Sequence, residues 1–374
     1  MPKNLFRRIT KNFIIICNII VAVLFLLGCY AGHFNPENWW FLGFLALGIF
    51  YLFLALLGFI IFWIFTRPRW VLVSLLAIVL AWGPMQQIIP LRFSSGFSLS
   101  KGNMLRVMTW NVEHFVILEH KTHPEKKKQM LDIINQYQPD VACFQEMVAG
   151  DRTPRAINYL PDFMNQLSFA DYSYSYNPKL DFDGEHHFGI IIFSKYPIVN
   201  KQTVSFYPHD YNSIFQYIDI VKGADTIRVF NIHLQSLRFS SDNLQYIDDP
   251  EFQDEKAVSQ SKSIIKKFKA GFLKRKIQAD RIRAEIEKSP YPVIVCGDFN
   301  DVPNSYAYHT IGKDLKNVFT ERGTGIGRTF SGISPTLRID NIFTDKRFDI
   351  DQYTRVSKKL SDHFPVLADM EFKK

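Results

Sequence analysis

Five short segments of this 374-residue chain end apolar, strand-like runs in residues able to do acid–base or metal chemistry. They are Val107-Met108-Thr109-Trp110-Asn111-Val112-Glu113, Val141-Ala142-Cys143-Phe144-Gln145-Glu146, Val229-Phe230-Asn231-Ile232-His233, Val293-Ile294-Val295-Cys296-Gly297-Asp298-Phe299-Asn300, and Arg338-Ile339-Asp340 taken with Ser361-Asp362-His363. Side chains alternate faces along a strand. That rule groups Asn111 with Glu113, Asn231 with His233, and Asp298 with Asn300.

The residue types make one chemistry. Glu113, Glu146 and Asp362 are hard oxygen donors of the kind that hold Mg2+ or Mn2+. Asp298 is a candidate base for water. Asn111 and Asn300 are neutral donors that can orient that base or hold a phosphate oxygen without adding negative charge. His233 and His363 can donate to non-bridging oxygens as charge builds. Singly, each segment is ordinary: Asp-x-Asn at a strand end is a common turn, and Ser-Asp-His a common helix start. Five in order are the signal. A phosphate-binding Gly-rich loop with its Lys is absent from the sequence, and no Cys/His cluster has zinc spacing.

The order Trp-Asn-x-Glu, Gln-Glu, Asn-x-His, Gly-Asp-Phe-Asn, Arg-Ile-Asp and Ser-Asp-His resembles the endonuclease/exonuclease/phosphatase superfamily, over about residues 103–372. The resemblance implies a four-layered α/β sandwich, two mixed sheets flanked by helices, and hydrolysis of a phosphoester by metal-activated, in-line attack of water. It makes Glu146 the principal metal ligand, with Glu113 and Asp362 nearby, and Mg2+ or Mn2+ the cofactor. Asp298 would activate water beside Asn300. Asn111 would support the cluster, His363 would touch the phosphate, and Asp340 would orient its ring. His233 stands where the family has a His or Tyr on the phosphate. Many relatives have Asp where this chain has Glu113, whose longer arm puts its direct metal contact in question.

The elements that position these residues are legible around them. Strands are predicted at Leu105–Trp110, Val141–Phe144, Phe188–Ser194, Ile214–Val221, Thr226–Ile232, Val293–Cys296 and Ile339–Phe343. Helices are predicted at Glu125–Tyr137 and within Ala257–Lys288. The second helix carries many Lys and Arg, read either as a basic arm over a phosphate-bearing substrate or an anionic lipid surface, or, in preference, as a solvated face over packed Ile264, Ile265, Phe268, Phe272, Ile277 and Ile282. His186 and His187 read as surface-loop residues. Cys143 and Cys296 read as buried thiols rather than a bridge.

The first ninety-two residues differ in kind. Phe13–Gly32, Trp39–Phe65 and Trp70–Leu91 are uncharged and apolar enough for three transmembrane spans, the last weakened by Pro84, Gln86, Gln87 and Pro90. Residues 1–92 are thus expected to be a transmembrane anchor, 93–103 a Ser/Gly-rich linker, and 104–374 the catalytic domain. Lys3, Arg7, Arg8 and Lys11 precede the first span, and Arg67 and Arg69 separate the second from the third. Positive flanks stay in the cytoplasm. Three spans in the cytoplasmic (inner) membrane then deliver the catalytic domain to the extracytoplasmic side; two would keep it inside. Leu26-Leu27-Gly28-Cys29 also has the outline of a lipoprotein signal, although Leu27 fits poorly.

The first hundred residues hold seven Lys/Arg and one acid, Glu37, so six of the eight formal positive charges lie there. The remainder is close to neutral, which argues mildly against a nuclease with a basic face. The spans carry no acid or base for an ion path, so they read as an anchor and not a transporter. The expected partners are a membrane and a phosphoester substrate (nucleic acid, phospholipid or inositol phosphate), met by a monomer. The competing function is a phospho-ligand-binding module without turnover, which would need lost catalytic groups; none of the expected set is missing.

Overall fold

The computed structural model describes residues 3–92, 96–151, 153, 156–178, 181, 184–206, 214–237, 239, 242–243, 246 and 255–373. After the helical N-terminal part, twelve strands form two six-stranded sheets. The first contains β1 (Leu105–Asn111), β2 (Val141–Gly150), β3 (Asp171–Tyr176), β4 (His186–Ser194), β11 (Phe348–Arg355) and β12 (Val366–Phe372), in the order β11-β12-β1-β2-β4-β3. The second contains β5 (Ile198–Ser205), β6 (Ile214–Lys222), β7 (Asp225–His233), β8 (Val293–Asp298), β9 (Leu315–Asn317) and β10 (Asp340–Asp345), in the order β5-β6-β7-β8-β10-β9.

Both sheets are mixed, and each has one parallel pair near its centre: β1 with β2, and β7 with β8. Val107, Cys143, Ile192, Val229, Ile294, Cys296 and Ile342 close the space between the sheets. Outside the first sheet, Met130, Ile134 and Phe163 of helices Pro124–Tyr137 and Leu160–Gln166 pack on Trp110 and Phe144. Outside the second, Ala279 and Ile282 of helix Glu255–Glu287 and Ile311 of helix Tyr306–Gly312 pack on Phe230 and Val295. These are the four layers expected, with an N-terminal helical segment apolar enough to span a membrane.

The strands predicted from apolar runs all form. Those not foreseen are β3, β5, β9, β11 and β12, whose polar or short sequences hide the pattern. β5 is largely exposed at a sheet edge, which explains its Asn, Lys and Gln content. His186 and His187 begin strand β4 instead of lying in a loop. His187 bonds Asp181 (2.9 Å) and Asp151 (3.0 Å) and stacks on Tyr176. On the long basic helix, Phe272 and Ile282 are buried as expected, but Ile265 and Ile277 are exposed. Cys143 and Cys296 are free, buried thiols.

One buried ion pair fastens the first sheet. Arg106 on β1 meets Asp369 on β12 through two 2.7 Å bonds and also donates to the carbonyls of Ser98, Leu99 and Tyr137. Gln352 completes the carboxylate at 2.6 Å. Asp369→Ala would strand a buried guanidinium, so it should lower unfolding stability by about 3–5 kcal/mol. Chemical denaturation checks this; a change below about 1 kcal/mol would show that the pair is not fastening the sheet.

The N-terminal helices depart from the three simple spans. Helix Lys3–Cys29 is continuous, but the run predicted as one span from Trp39 to Phe65 is broken. Short helices Pro36–Trp39 and Leu42–Leu47 precede Ile49–Thr66, with the break at Gly48. Leu42 and Ala46 are buried with Val302 of the sandwich, so this first part packs against the sandwich. The third run bends by 65° between Pro68–Leu80 and Trp82–Ile88. By length and composition, two helices (Phe6–Cys29 and Ile49–Thr66) can cross a membrane, or three if the bent pair is one span. Asn18 and Ser74 pair inside this bundle at 2.7 Å, and Tyr30 reaches Leu80 O at 2.7 Å. The segment before β1 is docked: Ser98 N donates to Gln352 Oε1, and Phe97 lies under Arg106.

Several polar side chains join the helices to the sandwich: Lys276 pairs with Glu37 at 3.0 Å, and two more reach backbone carbonyls. Asn304 Nδ2 donates to Gly28 O at 2.7 Å and Ala46 O at 3.4 Å. Buried Arg338 donates to the carbonyls of Gln87 and Ile88, the last residues of helix Trp82–Ile88, and to Ile326 O. A cation at a helix C-terminus meets unpaired carbonyls and the negative end of the helix dipole.

Candidate active site

The carboxyl ends of the two parallel pairs lie against each other across the sandwich. β1 and β2 supply Asn111 and Glu146; β7 and β8 supply His233 and Asp298. β10 runs antiparallel to β8 and sets Asp340 opposite Asp298 in register. The turn before β12 brings Asp362 and His363. The structure therefore brings all nine sequence-predicted residues together.

At the centre is Asp298, almost fully buried. Its Oδ2 accepts from Asn111 Nδ2 and Asn300 Nδ2 at 3.2 Å each, and its Oδ1 from Asn300 N at 2.8 Å. His233 Nε2 is 3.5 Å away and His363 Nε2 3.7 Å. Burial alone would raise the Asp298 carboxyl. The charges of His363 and His233 and the Asn300 N–H outweigh it and hold the group below its ordinary range. His363 Nδ1 lies 2.8 Å from Asp340 Oδ2. Burial would discharge this ring, but Asp340 and Asp298 together hold its pKa well above the usual value. The ring lies between two carboxyl groups, of which Asp340 is itself raised by burial against the pull of His363.

Beside this chain stand three carboxylates. Glu113 Oε2 accepts from Asp362 N at 3.0 Å, and Glu146 Oε1 is 3.7 Å from His233 Nε2. Burial, then the nearness of Asp362 and Glu146, raises the Glu113 carboxyl. Burial raises Asp362 as well, with Glu146 and Asp298 adding repulsion against the pull of His363. Among the described residues, no Lys or Arg pairs with any of the three. Crowded oxygen donors without a resident cation fit a hard divalent ion. Among the described residues, the group whose ligand atoms all lie within 4.8 Å of one another is instead Asp298, Asp340 and His363. There, however, the Nδ1 of His363 and a carboxylate oxygen of Asp340 are already engaged with each other, which suits proton handling better than a metal cage.

Strand alternation places Asn231 and His233 correctly, both facing the interior. It fails at the other two pairs. β1 ends at Asn111, and Glu113 lies in a left-handed turn at φ 45°, linked to Asn111 by its own N–H at 3.2 Å. Asn300 also follows its strand, at φ 48°, and returns to Asp298 through a turn. Glu146 is at φ 55° where the β2–β4 register slips between Phe144 and Met147. Strained backbone at all three points re-aims side chains that a regular strand would send elsewhere.

Supporting roles were not evident in the sequence. Thr329 Oγ1 accepts from the N–H groups of Ile339 and Asp340 at 2.9 and 3.0 Å. Ser361 Oγ donates to Asn111 O at 2.7 Å, and Trp110 Nε1 to His363 O at 3.0 Å. Phe330 lies against the His363 ring, with centroids 4.9 Å apart. Gln145 donates to Asn231 Oδ1 at 2.7 Å and to Thr109 Oγ1 at 3.1 Å, tying the sheets beneath the cluster. Trp110, Gln145, Asn231 and Ser361 stand inside the sequence motifs without these roles being read from them; only proximity in the fold identifies Thr329 and Phe330, ordinary loop residues in sequence.

Gly297, just before Asp298, has φ 147°, and a Cβ there would stand 1.9 Å from Ile232 O. This close approach sets His233 opposite Asp298 in register. Gly297→Ala should cost about 3 kcal/mol of stability and disturb both side chains. A thermal melt within a degree of the parent would refute that.

Two mixed sheets with catalytic-type residues at the ends of their parallel pairs define a class of phosphoester hydrolases, and the comparisons agree. A family model described as "Endonuclease/Exonuclease/phosphatase family" matches residues 108–363, and a domain of unknown function (DUF8431) matches residues 11–88. The chain belongs to the endonuclease/exonuclease/phosphatase family, whose members hydrolyse phosphoester bonds and generally depend on a divalent metal. It is 27% identical over 208 residues to the CCR4-Not complex 3'-5'-exoribonuclease subunit Ccr4 of Mycosarcoma maydis. That alignment covers 49% of this chain and 30% of the relative, so the chain spans less than a third of it. Among solved structures it resembles an endonuclease/exonuclease/phosphatase from Beutenbergia cavernae, with TM-score 0.52, 19% identity and 72% of each chain covered. It also resembles D. rerio TDP2 complexed with single strand DNA product, with TM-score 0.50, 14% identity, and 72% of this chain and 100% of that one covered. These two likenesses speak to the fold.

Proposed function

We propose that the protein is a membrane-anchored, divalent-metal-dependent phosphoesterase that cleaves a phosphodiester. The observation that carries this reading is the Asp298–His363–Asp340 chain set beside three carboxylates that no Lys or Arg neutralises. Asp298, held as an anion, accepts the proton of the attacking water. Asn111 and Asn300 fix its carboxylate. The His363 imidazolium, oriented by Asp340, donates to a phosphate oxygen as charge builds, and His233 donates from the opposite sheet. Glu113, Glu146 and Asp362 would hold Mg2+ or Mn2+. Such an ion, when bound, supplies Lewis-acid stabilisation of phosphoryl charge. That the Ccr4 relative is an exoribonuclease subunit supports a diester target.

The direction of the N-terminal helices supports an outward catalytic domain. The end of the first helix (Gly28) and the end of the third run (Gln87, Ile88) both touch the sandwich. Arg67 and Arg69 lie away from the sandwich, where Trp70 O meets Asn18 part-way along the first helix, on the side of the N-terminal bases. That pattern suits an odd number of crossings and an extracytoplasmic site.

The test is a hydrolysis panel with the full chain in detergent, with Mg2+ or Mn2+, against single-stranded RNA and DNA, sphingomyelin-like lipids and inositol phosphates. Metal-dependent cleavage of a diester is expected; no cleavage of any member overturns the reading. A reporter active only after export, fused after Ser100, addresses topology. Silence there, with a cytoplasmic reporter active at the same junction, places the domain inside.

A further inference from the structure

Outside the catalytic cluster, the sandwich carries an open cavity of about 560 Å3, within the size range of small-molecule sites. Phe97, Phe319 and Tyr353 form part of its wall, with the guanidinium groups of Arg322, Arg328 and Arg355. Arg92 stands at its margin, donating to Thr320 O at 3.3 Å while its own carbonyl accepts from Thr324.

The four arginines bond only to neutral groups. Arg322 Nε donates to Ile350 O and Arg328 Nε to Phe330 O, each at 2.6 Å, and Arg328 also reaches Ser331 O. Arg355 donates to Arg328 O at 2.7 Å and Ser357 Oγ at 2.9 Å. Among the described residues none of them lies within ion-pair distance of a carboxylate, although Asp349 feels the charge of Arg322 and Arg355 lies over the Phe364 ring at 4.8 Å. A guanidinium has five N–H donors, so most of theirs remain uncommitted within the protein. Gathering four like charges around one space is unfavourable by itself. An oxyanion placed among them removes the penalty, and planar forks match phosphate oxygens two at a time.

The location narrows the source of that anion. Gly325 N donates to Pro90 O at 2.9 Å, and Leu91 bridges Thr324. The cavity therefore adjoins the point where the chain leaves its last apolar helix, which is headgroup depth if the helices are an anchor. We propose that this cavity binds the phosphate of an anionic phospholipid headgroup. The proposal rests on the anchor reading and not on hydrolysis.

Binding, not turnover, tests it. The full chain in an uncharged detergent, without added metal, is titrated with inorganic phosphate and followed by its thermal melt. In parallel, native mass spectrometry compares retention of phosphatidylglycerol with retention of phosphatidylcholine. Phosphate should raise the melting temperature, and phosphatidylglycerol should be retained in preference. Arg322→Gln and Arg355→Gln should each weaken both effects about tenfold. Lys201→Gln, on β5 at the opposite edge of the second sheet, should change neither. Arg322 is exposed and makes one bond to the fold, so this variant stays folded; its ligand-free melt verifies that. Phosphate binding without lipid preference overturns the headgroup assignment in favour of a soluble phosphate. Equal binding by both arginine variants and the parent, or no binding by the parent, overturns the site itself.

Discussion

Turnover by the Glu146→Gln chain should fall below detection with Mg2+ or Mn2+ while the fold survives. The change removes one charge and almost no volume from a half-buried side chain. Divalent ions of this type take carboxylates over amides in sites that must neutralise them. Calorimetric titration with Mn2+ should show weakened binding in parallel with the lost rate. Glu146→Gly provides a second arm. Glu146 holds φ 55°, a conformation that costs an L-residue about 1 kcal/mol or more and that glycine adopts freely. The glycine variant should thus be equally inactive yet melt no lower than the parent. Wild-type turnover by Glu146→Gln would remove this residue from the metal assignment.

Asp298→Asn should cut kcat by about a hundredfold or more, the scale on which general bases act, with metal affinity unchanged. In the parent every partner of the carboxylate is a donor: Asn111 Nδ2, Asn300 N and Nδ2, and the two imidazoles. An amide in that position turns one acceptor into a donor facing donors, so a stability loss of about 1–3 kcal/mol accompanies the change. The two effects separate in measurement: kcat reports the missing base, and the melt reports the mismatched bond. A rise in KM with kcat intact would make Asp298 a substrate-binding residue instead.

How far the sequence carried these assignments depends on how regular the backbone is. Where the chain stays in a strand, as at Asn231 and His233, alternation gives the facing side chains directly. Where it leaves the strand, as at Glu113 and Asn300, the residues named from sequence do reach the cluster, but through turns and not through alternation. Residue type and order survive a turn, but the facing rule does not. Edge strand β5 and the Thr329 loop escape notice because neither needs an apolar pattern: one meets water, and the other serves through a hydroxyl. The apolar run from Trp39 to Phe65 poses a different problem. Burial against protein and burial in lipid select the same side chains, so composition alone cannot separate Leu42 and Ala46, which meet Val302, from the helix that follows.

The contacts of Asn304 and Arg338 bear on how freely the two parts of this chain can be exchanged. Asn304 lies four residues beyond Asn300, and Arg338 two before Asp340, so the loops that carry the candidate site are also the loops that grip the helices. A catalytic sandwich borrowed from a soluble relative would present other side chains to Gly28, Gln87 and Ile88 and leave their carbonyls without donors. Conversely, replacing the helices with a generic anchor would leave the Arg338 guanidinium buried with most of its acceptors gone. A working chimera would have to transplant both sides of that seam together, and substitutions on one side would be tolerated only with matching changes on the other.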